Sequence, residues 1–69
     1  MTNRIKIERA IRNLTQEQLA QQAGVSRQTI NAIELGKYIP SAILLLKIAH
    51  IFGKPVEEIF ALEESDWQR

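Results

Sequence analysis

The chain has no cysteine and a single histidine, His50, among its 69 residues. A disulfide framework and a thiolate metal site are therefore excluded, and one imidazole does not make a protein-only zinc or iron site. No metal and no cofactor are expected. The absence of cysteine also fits a cytoplasmic setting. The longest strongly apolar run, Ala42 to Leu46, is far too short to span a bilayer, and the basic stretch Met1 to Asn13 lacks the apolar core of a secretory signal. A soluble protein without membrane contact is expected. Catalysis is disfavoured too. Asp66 and the glutamates have no His, Cys or metal constellation to work with, and a chain this short rarely encloses a pocket of about 300 Å³.

Internal repeats, low-complexity tracts and linkers are missing, and no segment shows the alternation of a half-buried strand. At this length roughly 60% of the chain surface is buried on folding, which allows one core. Breaks at Asn13, Gly24, Gly36 to Pro40 and Gly53 to Pro55 leave five pieces. The expected fold class is all-α, with residues 1–62 as one domain and 63–69 as a short acidic tail free to fray.

The net charge of +1 conceals a gradient. Residues 1–56 hold eight Lys/Arg against Glu8, Glu17 and Glu34, a balance of +5, whereas 57–69 hold five acids against Arg69, a balance of −4. Such a layout offers a basic face to a polyanion and turns the acidic end away.

The first piece, about Thr2 to Arg12, has Thr2 or Asn3 as a possible N-cap and an ambiguous buried face, with Ile7 and Ile11 four apart and Ile5 half a turn away. In the second, Thr15 and Gln18 have the spacing of a capping box, followed by Leu19, Ala20 and Ala23 as a buried stripe. The third runs from the cap Ser26 to Leu35, with Ile30 and Ile33 on one face and Gly36 placed to end it. The fourth follows Ser41 and stops at Gly53. The fifth has Pro55 beside its first turn, then Val56, Ile59 and Phe60.

Only Ala23 to Val25 separate the second and third pieces, which suits a sharp corner rather than antiparallel packing. Gly24 tolerates positive φ there, and Ala20 keeps the helices close. This spacing of Leu19, Ala20, Gly24, Val25, Ile30 and Ile33 resembles the helix-turn-helix of the phage-repressor and Cro type, also called the xenobiotic response element family. The resemblance extends over about residues 3 to 60, through NRIK, Arg9, LTQEQLA, GVSRQTI, IELGKYIPS, LKIA and FG. It implies a compact five-helix lambda-repressor-like domain that binds double-stranded DNA.

With Ile30 and Ile33 inward, Arg27, Gln28, Asn31 and Ala32 point away from the core. Arg, Gln and Asn make bidentate contacts to guanine and adenine edges, and no acid occurs from 26 to 32 to oppose phosphate. The resemblance places the recognition helix on these positions, so Arg27, Gln28 and Asn31 are the candidate base readers. Thr29 lies more laterally, towards a phosphate or thymine methyl. Gln16, at a helix N-terminus where free amides favour an anion, corresponds to a family position that touches the DNA backbone or braces the recognition helix. Arg12, Ser26, Lys37 and Tyr38 are further backbone candidates. Arg9 and Glu34 occupy positions where the family often has an ion pair joining its first and third helices.

Two departures stand out: Glu8 where the family often has leucine, and Pro55 where it often has a serine cap. The fourth helix is also more apolar than one buried face requires. With Ala42, Leu45, Ile48, Ala49 and Phe52 inward, Ile43, Leu44 and Ile51 are surplus. Leu44 and Ile51, with Leu62 and Trp67, form a candidate two-fold contact. The competing arrangement folds Leu62 and Trp67 back over the fourth helix of the same chain.

The resemblance implies a small transcriptional regulator, a repressor acting by promoter occlusion, bound as a homodimer to an inverted-repeat operator. An alternative is an antitoxin or controller protein that binds both operator DNA and a partner protein through the fourth helix. A protein-interaction module that has abandoned DNA is disfavoured by the outward Arg27, Gln28 and Asn31.

Overall fold

Local chemistry decides where the helices start. In a computed structural model, which describes residues 1–68, the chain opens with a two-residue strand, β1 (Thr2–Asn3), followed by α1 (Ile5–Ile11). Helix α2 (Gln16–Ala23) begins with a complete capping box: the Thr15 hydroxyl accepts from the Gln18 amide at 3.0 Å, and the Gln18 side chain accepts from the Thr15 amide at 2.9 Å. Ser26 caps α3 (Arg27–Glu34) by accepting from the Thr29 amide at 3.1 Å, and Ser41 caps α4 (Ala42–Phe52) through the Leu44 amide at 3.2 Å. Pro55 precedes the single turn α5 (Val56–Ile59), which runs directly into β2 (Phe60–Ala61) and then a 3-10 turn, Glu64–Trp67.

The five expected helices are all present, and the architecture is the expected all-α one with one addition. Thr2 pairs with Ala61 and Asn3 with Phe60 in an antiparallel ribbon that joins the two ends of the chain. Two residues are too few to display alternation, so no sequence pattern announced it. The ribbon also displaces the expected cap of α1. Asn3 still accepts from the Ile5 amide at 3.2 Å, but its amide group donates to the Ile33 carbonyl at 2.9 Å, while the Arg4 amide donates to the Ile59 carbonyl at 2.8 Å. A residue expected to start a helix thus fastens the end of α3.

Leu19, Ala20 and Ala23 of α2, Ile30 and Ile33 of α3, and Ile59 and Phe60 are buried as their spacing requires. On α1 the ambiguity resolves against the isoleucine pair. Ile5 and Glu8 face inward, and Ile7 and Ile11 are exposed. Glu8, only 1% exposed, occupies the apolar slot as a fully satisfied ion. Its carboxylate accepts from Arg12 Nη1 at 2.6 Å and Lys54 Nζ at 2.9 Å. The hydrogen bonds from Lys54 and then Arg12 hold the carboxyl below the ordinary glutamate range, against the opposing effect of burial.

Helix α4 is rotated relative to expectation. Leu44 is 7% exposed and belongs to the core with Ile48, Ala49 and Phe52, while Ala42 is exposed and Leu45 and Ile51 are half-buried. The buried stripe follows the four-residue row 44, 48, 52, and Leu44 is therefore removed from the candidate intersubunit contact. The outward apolar residues of this helix are Ile43 and Leu46.

Residues 63–66 of the acidic tail are held in place. The Glu63 amide donates to the Asp66 carboxylate at 2.8 Å, and the Met1 ammonium contacts Glu63 at 3.0 Å and Asp66 at 2.9 Å. Leu62 and Trp67 do not fold over α4 as the intrachain alternative required, since both are exposed, Trp67 at 75%.

Candidate nucleic-acid interface

Gly24 sets the corner between α2 and α3. Its φ of 74° is left-handed, and the Val25 amide closes the end of α2 by donating to the Ala20 carbonyl at 3.0 Å. Space is not the constraint here, because a Cβ on Gly24 would meet nothing nearer than Lys47 Nζ at 4.0 Å. The backbone conformation itself is what favours glycine. Asn13 performs the same service after α1, with φ 54°, and is one of the few non-glycine residue types that tolerates it.

With Ile30 and Ile33 buried, α3 turns Arg27, Gln28 and Asn31 to the solvent, as expected from 100° per residue. Neither Arg27 nor Gln28 has a side-chain hydrogen bond among the described residues, so both tips are available to an incoming ligand. Asn31 is positioned by its neighbour. Gln16 Nε2 donates to Asn31 Oδ1 at 3.0 Å and to Glu34 Oε1 at 3.2 Å. The Thr29 hydroxyl lies 3.0 Å from that of Ser26, which also caps the helix. Lys37 and Tyr38 follow α3 on the surface.

The orientation of α3 is fixed from behind by a forked ion pair. Arg9 Nε and Nη2 donate to the two carboxylate oxygens of Glu34 at 2.7 and 3.0 Å, and Arg9 Nη1 donates to the Leu14 carbonyl at 2.9 Å. Glu34 in turn holds Gln16, so α1, the α1–α2 loop, α2 and α3 share one network that ends at Asn31. The family resemblance suggested the Arg9–Glu34 pair but not its extension to Gln16 and Asn31, because residues 15 and 18 apart in sequence have no periodic relation. Arg12 has an internal role. Its guanidinium donates to Glu8 and to the Phe52 carbonyl and lies 5.0 Å from the Phe52 ring centre. Lys54, the other partner of Glu8, was not singled out by sequence, and its signal was the carboxylate in an apolar slot that demanded a cation.

A cleft of about 310 Å³ lies at the C-terminal end of α3, larger than expected for so short a chain. It is lined by Leu35, Tyr38, Ile39, Phe60 and Glu63 among others, and no potential metal cluster of His, Asp or Glu occurs among the described residues. No helix of the described chain is long and apolar enough to cross a membrane.

The corner, the buried stripes and the outward polar helix match a known family model, described as helix-turn-helix, over residues 5–59. The chain belongs to the Cro/CI-type helix-turn-helix family. A transcriptional regulator of the HTH type from Methanocaldococcus jannaschii is 56% identical over 66 residues, covering 96% of this chain and all of that protein. The HTH-type transcriptional regulator YgzD of Bacillus subtilis is 46% identical over 66 residues, again 96% of this chain and all of the relative. Among solved structures, the clp gene regulator ClgR of Corynebacterium glutamicum superposes with a TM-score of 0.73 at 28% identity, over 78% of this chain and 57% of ClgR. The likeness to ClgR therefore spans little more than half of that protein. The helix-turn-helix chain is a DNA-binding transcriptional regulator.

Proposed function

We propose that this regulator is a sequence-specific repressor that inserts α3 into the major groove of operator DNA as a homodimer. Arg27, Gln28 and Asn31 read base edges. Gln16, Ser26, Thr29, Lys37 and Tyr38 contact the backbone or flank it, and Arg12 is the least favoured of the backbone candidates because its donors are already engaged with Glu8 and Phe52. Residues 1–62 form the DNA-binding domain, with 63–69 as its acidic tail. Repression follows from occlusion of a promoter in the cytoplasm, without catalysis or cofactor.

The single observation that carries this reading is the brace on α3. Gln16 is tied to both Asn31 and Glu34, so a base-reading side chain is presented in a defined rotamer before DNA arrives. Preorganisation of this kind lowers the ordering cost of binding. The antitoxin or controller alternative is not favoured, since the relatives named above are regulators.

Selection of bound sequences from a random duplex pool tests the proposal. An inverted repeat whose half-site centres lie one helical turn apart, about 34 Å, is expected for a dimer with one α3 in each of two successive major grooves. Recovery of unenriched sequence would remove base reading, and recovery of a single half-site would remove the two-fold arrangement.

A further inference from the structure

We propose that Arg9, Glu34 and Gln16 fix the side-chain amide of Asn31 with its nitrogen free, so that Asn31 reads guanine in preference to adenine. The proposal rests on the reading of α3 as the base-reading helix and specifies which base one of its side chains selects.

An asparagine amide has a donor end and an acceptor end, and one that turns freely offers either to a base. Adenine uses both, taking a donor at N7 and giving one from N6, which makes it the usual partner of asparagine. Guanine takes donors alone, at N7 and O6. The base preferred by Asn31 therefore depends on whether its oxygen is at liberty.

In this fold the oxygen is engaged, and the order of donors and acceptors behind it dictates that arrangement. Arg9 has only donors. Its Nε and Nη2 meet the two oxygens of the Glu34 carboxylate at 2.7 and 3.0 Å, and a carboxylate only accepts. The atom of Gln16 that approaches Glu34 Oε1 at 3.2 Å must then be the amide nitrogen, Nε2. The second hydrogen of that nitrogen goes to Asn31 at 3.0 Å, where it must be received by the oxygen, Oδ1. Turning over Gln16 would set its oxygen against the carboxylate, and turning over Asn31 would set two donors face to face. A cation on α1 thus fixes the polarity of a side chain on α3.

Asn31 is exposed, and its Nδ2 has no hydrogen-bond partner among the described residues, so both hydrogens of that nitrogen remain for a ligand. Oδ1 keeps a second lone pair, but adenine N6 would have to share this oxygen with Gln16. Guanine requires nothing of it. Both hydrogens of Gln16 Nε2 are likewise committed, which leaves the main-chain amide of Gln16, at the start of α2, as its donor to phosphate.

Selection from a random duplex pool is run with the full chain and with Asn31→Ala, whose relaxed position identifies the base pair that Asn31 reads. A G·C pair is expected there, and duplexes differing only at that pair should favour it over A·T by roughly 5- to 150-fold. Gln16→Met removes the donor at similar length and retains the main-chain amide, so the Asn31 amide can turn over and the preference should fall to near parity. The ratio is taken within one variant, and a general loss of affinity cancels from it. Asn31→Asp keeps an oxygen for Gln16 and puts an acceptor in place of the donor. It should invert the selected pair, bringing cytosine, whose N4 donates, to where guanine stood. That side chain is exposed, so this variant decides the matter even where Gln16→Met fails to fold. An A·T pair at the parent's position, or an Asn31→Ala protein with an unaltered selected sequence, overturns the proposal and spares base reading by the rest of α3. An undiminished preference in Gln16→Met, or a pair of unchanged direction in Asn31→Asp, also overturns it. A parent pool without enriched sequence removes the base-reading role itself.

Discussion

Replacing Glu34 with alanine separates the stabilising and orienting roles of the ion pair behind α3. Glu34 is 7% and Arg9 14% exposed, and the fork between them consists of hydrogen bonds of 2.7 and 3.0 Å. Without the carboxylate, Arg9 retains the Leu14 carbonyl as its partner, and Gln16 loses one of its two acceptors. Breaking a buried pair from one side costs about 3–5 kcal/mol, most of it the penalty of the stranded charge. Because Arg9 keeps one hydrogen bond and some solvent, the lower end of that range, about 3 kcal/mol, applies.

For a domain of this size each kcal/mol lowers Tm by about 4–8 °C, so the variant should melt at least about 12 °C below the parent. The double variant Arg9→Met, Glu34→Leu removes both charges at similar volume, and its stability should return to within about 1 kcal/mol of the parent, as buried pairs often exchange neutrally for apolar groups. Operator affinity should stay reduced in the double variant, since Gln16 still lacks Glu34 and presents Asn31 less firmly. Thermal melts followed by circular dichroism, together with operator titrations, measure the two effects. A Glu34→Ala protein with unchanged Tm and unchanged operator affinity would refute the reasoning. Full recovery of affinity along with stability would show that the pair only keeps the domain folded.

Arg27→Ala and Gln28→Ala should each cost about 1–3 kcal/mol of operator binding and relax one base position, whereas Lys37→Ala should weaken binding to all sequences and reduce the slope of log K against log salt by about one unit, both read from titrations at several salt concentrations. Gly24→Ala should destabilise the domain by about 1–2 kcal/mol through its left-handed φ rather than through a clash, so Gly24→Asn should lose less; urea melts distinguish the two. Glu8, whose folded pKa is depressed, contributes stability that is fully present above its ordinary value of 4.5 and is lost as pH falls below that value through the folded pKa. Asp66 is shifted in the same direction by the Glu63 amide and the Met1 ammonium and adds to the same acid slope. Melts of Glu8→Leu across this range should show a shallower acid loss than the parent. An identical slope would mean that Glu8 is not held as an ion in the core.

Much of the site was legible because it depends on local rules. Ser26 as cap, Ile30 and Ile33 inward, and Arg27, Gln28 and Asn31 outward all lie within two helical turns, where 3.6 residues per turn fixes direction. Thr15 and Gln18 likewise reveal their box at a distance of three residues. Leu44 was misplaced because nearly every residue of α4 is apolar. Hydrophobicity then carries no phase, and the inward face is chosen by the packing of Leu44, Ile48 and Phe52 against the other helices.

The five helices, the corner at Gly24 and the polar face of α3 were readable from the residues alone, because caps, left-handed glycines and periodicity act between residues close in the chain. It took the closed fold to bury Glu8 as an ion between Arg12 and Lys54, to send Asn3 to Ile33, to join the two ends in a ribbon, and to bring Met1, Phe60 and Glu63 to the cleft at the end of α3. Those features join residues tens of positions apart. Their partners are selected by burial and by the need to satisfy every charge and hydrogen bond once the helices have closed, which no local pattern encodes.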